Sequence, residues 1–238
     1  MLLRGRVLHR EGQLQKRTPV NILDLRDSGV VRIRRAHPQL QGKKPFARGT
    51  RAALFEGGTP ERVLKLTVDA PSYLYLTDGY APTGVHVPVV FEDFGQVGET
   101  WNDEALYLVE LERLQPRPKG YALSRVLRKA YELAEERFKT NGYRDPAWLP
   151  DADNQPSWLP DSLAEYFTQL NLFASNTCSR IDLSWRSNYM VRPNGELVGS
   201  DPLFDPESGS RKEKSRRAAY RPAYFAAHQD GWPMAHAA

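Results

Sequence analysis

Arg180-Ile-Asp-Leu-Ser-Trp-Arg-Ser-Asn188-Tyr-Met-Val-Arg-Pro-Asn-Gly-Glu-Leu-Val-Gly-Ser-Asp201-Pro-Leu203 is the stretch whose reading decides how the whole chain is understood. Tyr189-Met-Val-Arg and Glu196-Leu-Val-Gly flank Pro193-Asn194-Gly195, the pattern of two short strands closed by an Asn-Gly turn. A hairpin returns the chain on itself, so Asn188 before it and Asp201 after it are expected side by side. An amide oxygen beside a carboxylate suits a hard cation such as Mg²⁺, which takes oxygen ligands and keeps waters and phosphates in its shell. Asp182, just upstream, is placed to accept a hydrogen bond from a substrate hydroxyl. Arg180 is placed to hold the loop or to face a phosphate.

Working outward from the hairpin, Asp161 caps a predicted helix with Leu163, Tyr166, Phe167, Leu170 and Phe173 on one face. Before it lies a loop, Arg144 to Pro160, rich in Pro, Asp and Trp. Ser124 to Thr140 is a second predicted helix, closed by Asn141-Gly142.

The first half reads as strands. Phe46–Phe55 and Arg62–Val68 are two of them, joined at Gly57-Gly58-Thr59-Pro60, with Gly49 at an earlier bend. Val87–Phe94 and Ala105–Leu111 form another pair, bridged by a polar loop with Gly98 and Asn102. Between the pairs, Asp69-Ala-Pro-Ser starts a short helix over Tyr73–Thr77, stopped at Asp78-Gly79. Another short helix is expected within Ile22–Val31. A strand-rich half followed by a helical half is an α+β arrangement with a cleft between the two.

Lys65, in Val63-Leu-Lys-Leu-Thr67, is a cation among aliphatic residues of a strand. It follows the strand pair bent at Gly49, where backbone amides could fold over phosphates. Glu112-Arg113-Leu114 ends the last strand, where a hinge would offer backbone groups to a base edge.

Bulk properties fit this picture. The 238 residues suit one domain or one core of two small lobes, with 40% hydrophobic and 11% aromatic content to fill it. The mean hydropathy of -0.59 reflects charge and proline, and the net charge of +4 with a pI near 9.1 is mild. No apolar run is long enough to span a bilayer, and Met1-Leu-Leu-Arg-Gly-Arg lacks the apolar region of a signal peptide. The one cysteine, Cys178, excludes an intramolecular disulfide, reads as a small core residue and fits a reducing cytoplasm. Basic residues gather between Arg32 and Arg51 and in Arg211-Lys-Glu-Lys-Ser-Arg-Arg217. The tryptophans do not interleave with them, which argues against nucleic acid as a partner.

The order Lys65, Glu112-Arg-Leu, Asp182, Asn188 and Asp201 resembles the protein-kinase signature set. Val63-Leu-Lys-Leu-Thr, Tyr73-Leu-Tyr-Leu-Thr-Asp78, Val87-Pro-Val-Val-Phe-Glu-Asp-Phe-Gly95 and Asn188-Tyr-Met-Val-Arg…Ser-Asp-Pro202 are similar to the early serine/threonine protein kinase family of T-seven-like podophages (Autographiviridae). The resemblance implies a two-lobed protein-kinase-like fold. Its N-terminal extension would cover 1–43, a strand-rich N-lobe 44–114, a truncated helical C-lobe 115–205 and a basic tail 206–238. It implies ATP and Mg²⁺ as cofactors. Lys65 would hold the phosphates under the Gly49 bend, and Glu112 and Leu114 would form the hinge. Asp182 would orient the hydroxyl, and Asn188 and Asp201 would bind the metal. No glutamate lies between Lys65 and Phe91, so Asp78, or failing that Asp69, is expected to pair with the lysine. Asp182 stands one residue further from Asn188 than in ordinary kinases, and Asp201-Pro-Leu replaces Asp-Phe-Gly. The implied partners are host proteins, host RNA polymerase among them, in the host cytoplasm. Ser208 to Ser215 are candidate autophosphorylation sites. Two alternatives accompany that reading: a kinase-like protein that binds and inhibits a host enzyme without catalysis, and a small-molecule kinase.

Overall fold

The computed structural model describes residues 23–141, 149–150, 155–177, 179–182 and 188–204. Cys178, residues 183–187 of the loop after Asp182, most of the 144–160 loop, residues 1–22 and the basic tail with its serines lie outside the described residues.

The strand half forms a five-stranded antiparallel sheet in the order β1-β2-β3-β5-β4. The strands are β1 (Pro45–Arg48), β2 (Ala52–Glu56), β3 (Arg62–Thr67), β4 (Val90–Glu99) and β5 (Ala105–Glu112). The stretch read as one strand, Phe46–Phe55, is two, because Gly49 N–H closes a turn on Ala52 O at 2.9 Å. β4 begins later than expected and runs on through Gly98, with three register shifts against β5 and Gly95 at φ +69°. Such bulges bend and coil an edge strand.

Helix α1 (Ser28–Ala36) starts well after Ile22 because Asp27 is its cap, its Oδ1 accepting from the Gly29 and Val30 amides at 2.8 and 3.2 Å. Leu23 and Leu25 are buried without being helical. α1 lies on β4 so closely that a Cβ on Gly29 would fall 2.0 Å from the Glu99 carbonyl oxygen. Helix α2 (Ala70–Thr77) follows β3 directly. Its cap residue Asp69 makes no side-chain capping bond and lies 4.0 Å from Arg51 instead. Helices α3 (Leu123–Asn141) and α4 (Asp161–Asn176) match their periodicity. Pro160, not Asp161, is the α4 cap, and Asp161 Oδ1 accepts from Gln155 Nε2 at 2.7 Å.

Strand alternation splits the buried residues into two cores. Phe55, Leu64, Leu66, Leu106 and Leu108 meet Leu23, Val30 and Leu40 on the α1 side. On the other side Val63, Val109 and Leu111 join α2, α4 and the hairpin in a core that runs without a break from sheet to helices. Burying each of Leu163, Phe167, Leu170 and Phe173 stabilises the fold by about 1.5–3 kcal/mol. The last elements are β6 (Arg180–Ile181) paired with β9 (Leu203–Phe204), and β7 (Tyr189–Val191) paired with β8 (Leu197–Gly199). The architecture is α+β: antiparallel sheet, helix after the third strand, then helices and a hairpin. No helix among the described residues is long and apolar enough to cross a membrane.

Candidate active site

Leu64 and Leu66 enter the α1-side core, so Lys65 between them points to the opposite face, where only 4% of the residue is exposed. A buried ammonium requires partners. Lys65 Nζ donates to Ser72 Oγ at 2.7 Å and to Asp201 Oδ1 at 3.1 Å, the second contact spanning 136 residues of sequence. Ser72 Oγ, itself buried, donates its hydrogen to the same Asp201 oxygen. The hydroxyl thus accepts from the cation and donates to the anion.

Asn188 and Asp201 are brought together as the hairpin predicts. Tyr189 pairs with Gly199, and both the Ser200 and Asp201 amides donate to Asn188 O, at 2.9 and 3.3 Å. Gly195 takes the left-handed conformation that closes the turn, φ +87°. Asn188 Nδ2 donates to Asp182 O at 3.2 Å, which leaves the amide oxygen to face a cation. Asp182 is set by the pairing of β6 with β9, its amide donating to Pro202 O at 2.8 Å. Three residues from the hairpin run and one from the sheet therefore meet. The donor set fits Mg²⁺: one amide oxygen and one carboxylate, with Asp201's side chain 40% exposed.

Two supports lock the hairpin in place. Tyr75 OH, from α2, donates to Gly199 O at 2.9 Å and lies 2.9 Å from Tyr166 OH of α4. A Cβ on Gly199 would come within 2.1 Å of that Tyr166 oxygen. Burial pushes the Tyr75, Tyr166 and Tyr189 hydroxyls well above 10, so they stay protonated. At the other end, Arg192 reaches the Glu112 carboxylate with Nη2 at 2.7 Å and Nε at 2.9 Å, and Val87 O at 2.9 Å. Hydrogen bonding to Glu112 raises the Arg192 pKa. His86 fills the space beside them, Nδ1 2.7 Å from Leu197 O and Nε2 3.0 Å from Ser162 Oγ, and desolvation by burial lowers its pKa.

Three expected contributors sit differently. Asp78 does not reach the lysine: it ends α2, and its Oδ1 accepts from the Tyr80 amide at 2.8 Å. Glu112 is committed to Arg192, and its amide to Val89 O at 3.0 Å. The Arg113 amide donates to Glu61 O at 2.7 Å and the Gln115 amide to Val191 O at 2.8 Å, so both are used within the fold, while Leu114, the other expected hinge residue, lies between them. Gly49's amide is spent on its own turn. Ser72, Tyr75 and Arg192 went unread in the sequence. The signal for Ser72 was its place in the first turn of the helix directly after the lysine strand.

No family model matches the sequence, and no curated protein matches it. Among solved structures the chain is similar to an aminoglycoside phosphotransferase from Streptomyces rimosus. The identity is 14%, over 85% of this chain and 92% of that chain, with a TM-score of 0.28. At that TM-score the match adds nothing to the geometry above.

Proposed function

We propose that the protein transfers the terminal phosphoryl group of Mg-ATP to a hydroxyl, as a serine/threonine protein kinase. The observation that carries this is the meeting of Lys65, Asp201 and Asn188 in one partly open site. Bound Mg-ATP supplies the phosphoryl group. Asn188 and Asp201 are the residues to hold its metal, and Lys65 exchanges its Asp201 partner for phosphate oxygens, neutralising charge that develops in transfer. Asp182 accepts a hydrogen bond from the acceptor hydroxyl and takes its proton as that oxygen bonds to phosphorus and the bond to the nucleotide breaks, leaving ADP. The sequence resemblance supports serine or threonine as acceptor, and host proteins such as the transcription machinery, met in the host cytoplasm early in phage infection, as substrates.

Incubation with γ-labelled ATP, Mg²⁺ and host lysate tests the reading. Asp201→Ala is expected to lower label transfer by at least about a hundredfold, and equal transfer by variant and wild type overturns it. One observation favours a second reading, a non-catalytic binder of a host enzyme: the hinge amides of Glu112, Arg113 and Gln115 are used internally. A chain with no ATP- and Mg²⁺-dependent thermal shift supports that reading.

A further inference from the structure

From Ser28 to Phe55 the sequence contains no acidic residue, while Arg32, Arg34, Arg35, Lys43, Lys44, Arg48 and Arg51 all fall within it. The fold gathers four of these cations around one concavity of about 530 Å³, between the end of α1 and the start of β1. Arg34, Arg35, Lys43 and Lys44 line it, with no carboxylate among its described lining residues. Val31 and the buried Leu40 give it an apolar floor.

Five cations elsewhere are paired. Arg51, Arg62, Lys65, Arg113 and Arg192 each have a carboxylate within ion-pair distance. Among the described residues none of the four pocket cations does. Two are instead held by neutral groups. Arg34 donates to Lys43 O at 3.3 Å and lies over the Phe55 ring at 5.6 Å, and Lys43 Nζ donates to Glu56 O at 2.8 Å. Their charges are fixed in space with no carboxylate within ion-pair distance among the described residues, and the Lys43 charge acts on Glu110 from further off. The negative end of α1 accounts for favourable cations in its last turn, at Arg34 and Arg35. It does not account for Lys43 and Lys44, which lie beyond the helix.

We infer that this concavity docks an acidic peptide segment of a protein partner, with carboxylates on the four cations and an apolar side chain on the Val31–Leu40 floor. It lies on the α1 side of the sheet, across from the face to which Lys65 points, so its occupant is held apart from the Lys65 site. A concavity with two apolar lining residues and no aromatic ring among its described lining residues differs from the extended cationic track with stacking rings that single-stranded nucleic acid uses.

Fluorescence anisotropy of a labelled peptide of repeating Glu-Glu-Leu, added to the full-length chain, tests the site. Binding is expected to weaken at least about tenfold in the double variant Arg35→Glu/Lys44→Glu. It is expected to fall as salt rises from about 50 to about 300 mM, and to be absent for a Gln-Gln-Leu peptide. No binding to wild type, or equal binding to the double variant, overturns the proposal. So does tighter binding of a labelled oligothymidine that the double variant abolishes, which makes the pocket a nucleic-acid site. Asp201→Ala is expected to bind the peptide as wild type does. Loss of phosphotransfer activity in every assay, with peptide binding still dependent on Arg35 and Lys44, leaves this site standing while the catalytic reading falls.

Discussion

Replacing Ser72 by alanine removes one oxygen and interrogates the whole site. In the folded protein that oxygen bridges Lys65 Nζ and Asp201 Oδ1. A hydrogen bond to a charged partner contributes about 1.5–3 kcal/mol when both are withdrawn from water. Only the lysine side of the bridge meets that condition, since Lys65 is 4% exposed and Ser72 1%. Asp201, with 40% of its side chain exposed, recovers its lost donor from solvent, so its share is discounted. The ammonium keeps Asp201 at 3.1 Å, so the larger penalty of an unpaired buried charge, about 3–5 kcal/mol, does not arise. The expected cost is therefore about 1.5–3 kcal/mol of folding stability. The same energy lost from the orientation of Lys65 corresponds to about a tenfold to hundredfold fall in phosphoryl transfer. Equilibrium urea unfolding gives the first quantity from the midpoint shift at constant slope; labelled-ATP transfer at saturating nucleotide gives the second. An alanine variant that unfolds at the wild-type midpoint and transfers label at the wild-type rate refutes the bridge as described.

The remaining predictions concern the frame around the site. Arg192→Leu strips Glu112 of its cation and the Val85–Val87 loop of its donors, and is expected to cost about 2–4 kcal/mol in urea unfolding; a loss below about 0.5 kcal/mol, the range of a neutral surface change, contradicts the anchoring role. Gly199→Ala drives a Cβ into the Tyr166 hydroxyl and is expected to destabilise by about 1–3 kcal/mol, with an unchanged thermal midpoint as the contrary result. His86, whose folded pKa is lowered by burial, is neutral in both states above its ordinary 6.5. As pH falls below 6.5 the unfolded chain takes up the proton first, so stability declines until the folded pKa is passed. His86→Gln is expected to flatten that decline between pH values of about 7 and 5, compared by urea midpoints. His37, lowered by burial and raised by Glu92, keeps its own share of the slope.

The elements read correctly are those whose signal is local. The Asn-Gly turn and the apolar stripe from Leu163 to Phe173 each follow from neighbours a few residues away. Asn188 and Asp201 were legible as a pair for the same reason, since a tight hairpin fixes its own ends. Failures came where distant chain decides. Asp78 was expected to serve Lys65 because it ends α2, but its carboxylate takes the Tyr80 amide and the helix delivers Ser72 from its first turn instead. A serine there reads as an ordinary helix-start residue, and its bond to Asp201 spans 129 residues. Glu112 was read through its backbone because Arg192, its side chain's partner, lies 80 residues on. Helix α1 was expected within Ile22–Val31, whereas the Asp27 carboxylate sets its start at Ser28.

The two margins of the sheet have a consequence for handling the protein at high concentration. A strand margin with free amides and carbonyls invites a second molecule to add on, and chains of such additions become aggregates. Here β1 is four residues long, opens on Pro45 and carries a register break, while β4 is interrupted three times along its length. Neither margin offers a flat, continuous template of hydrogen-bonding groups. The bulges in β4 thus also weaken that edge as a template for edge-to-edge pairing.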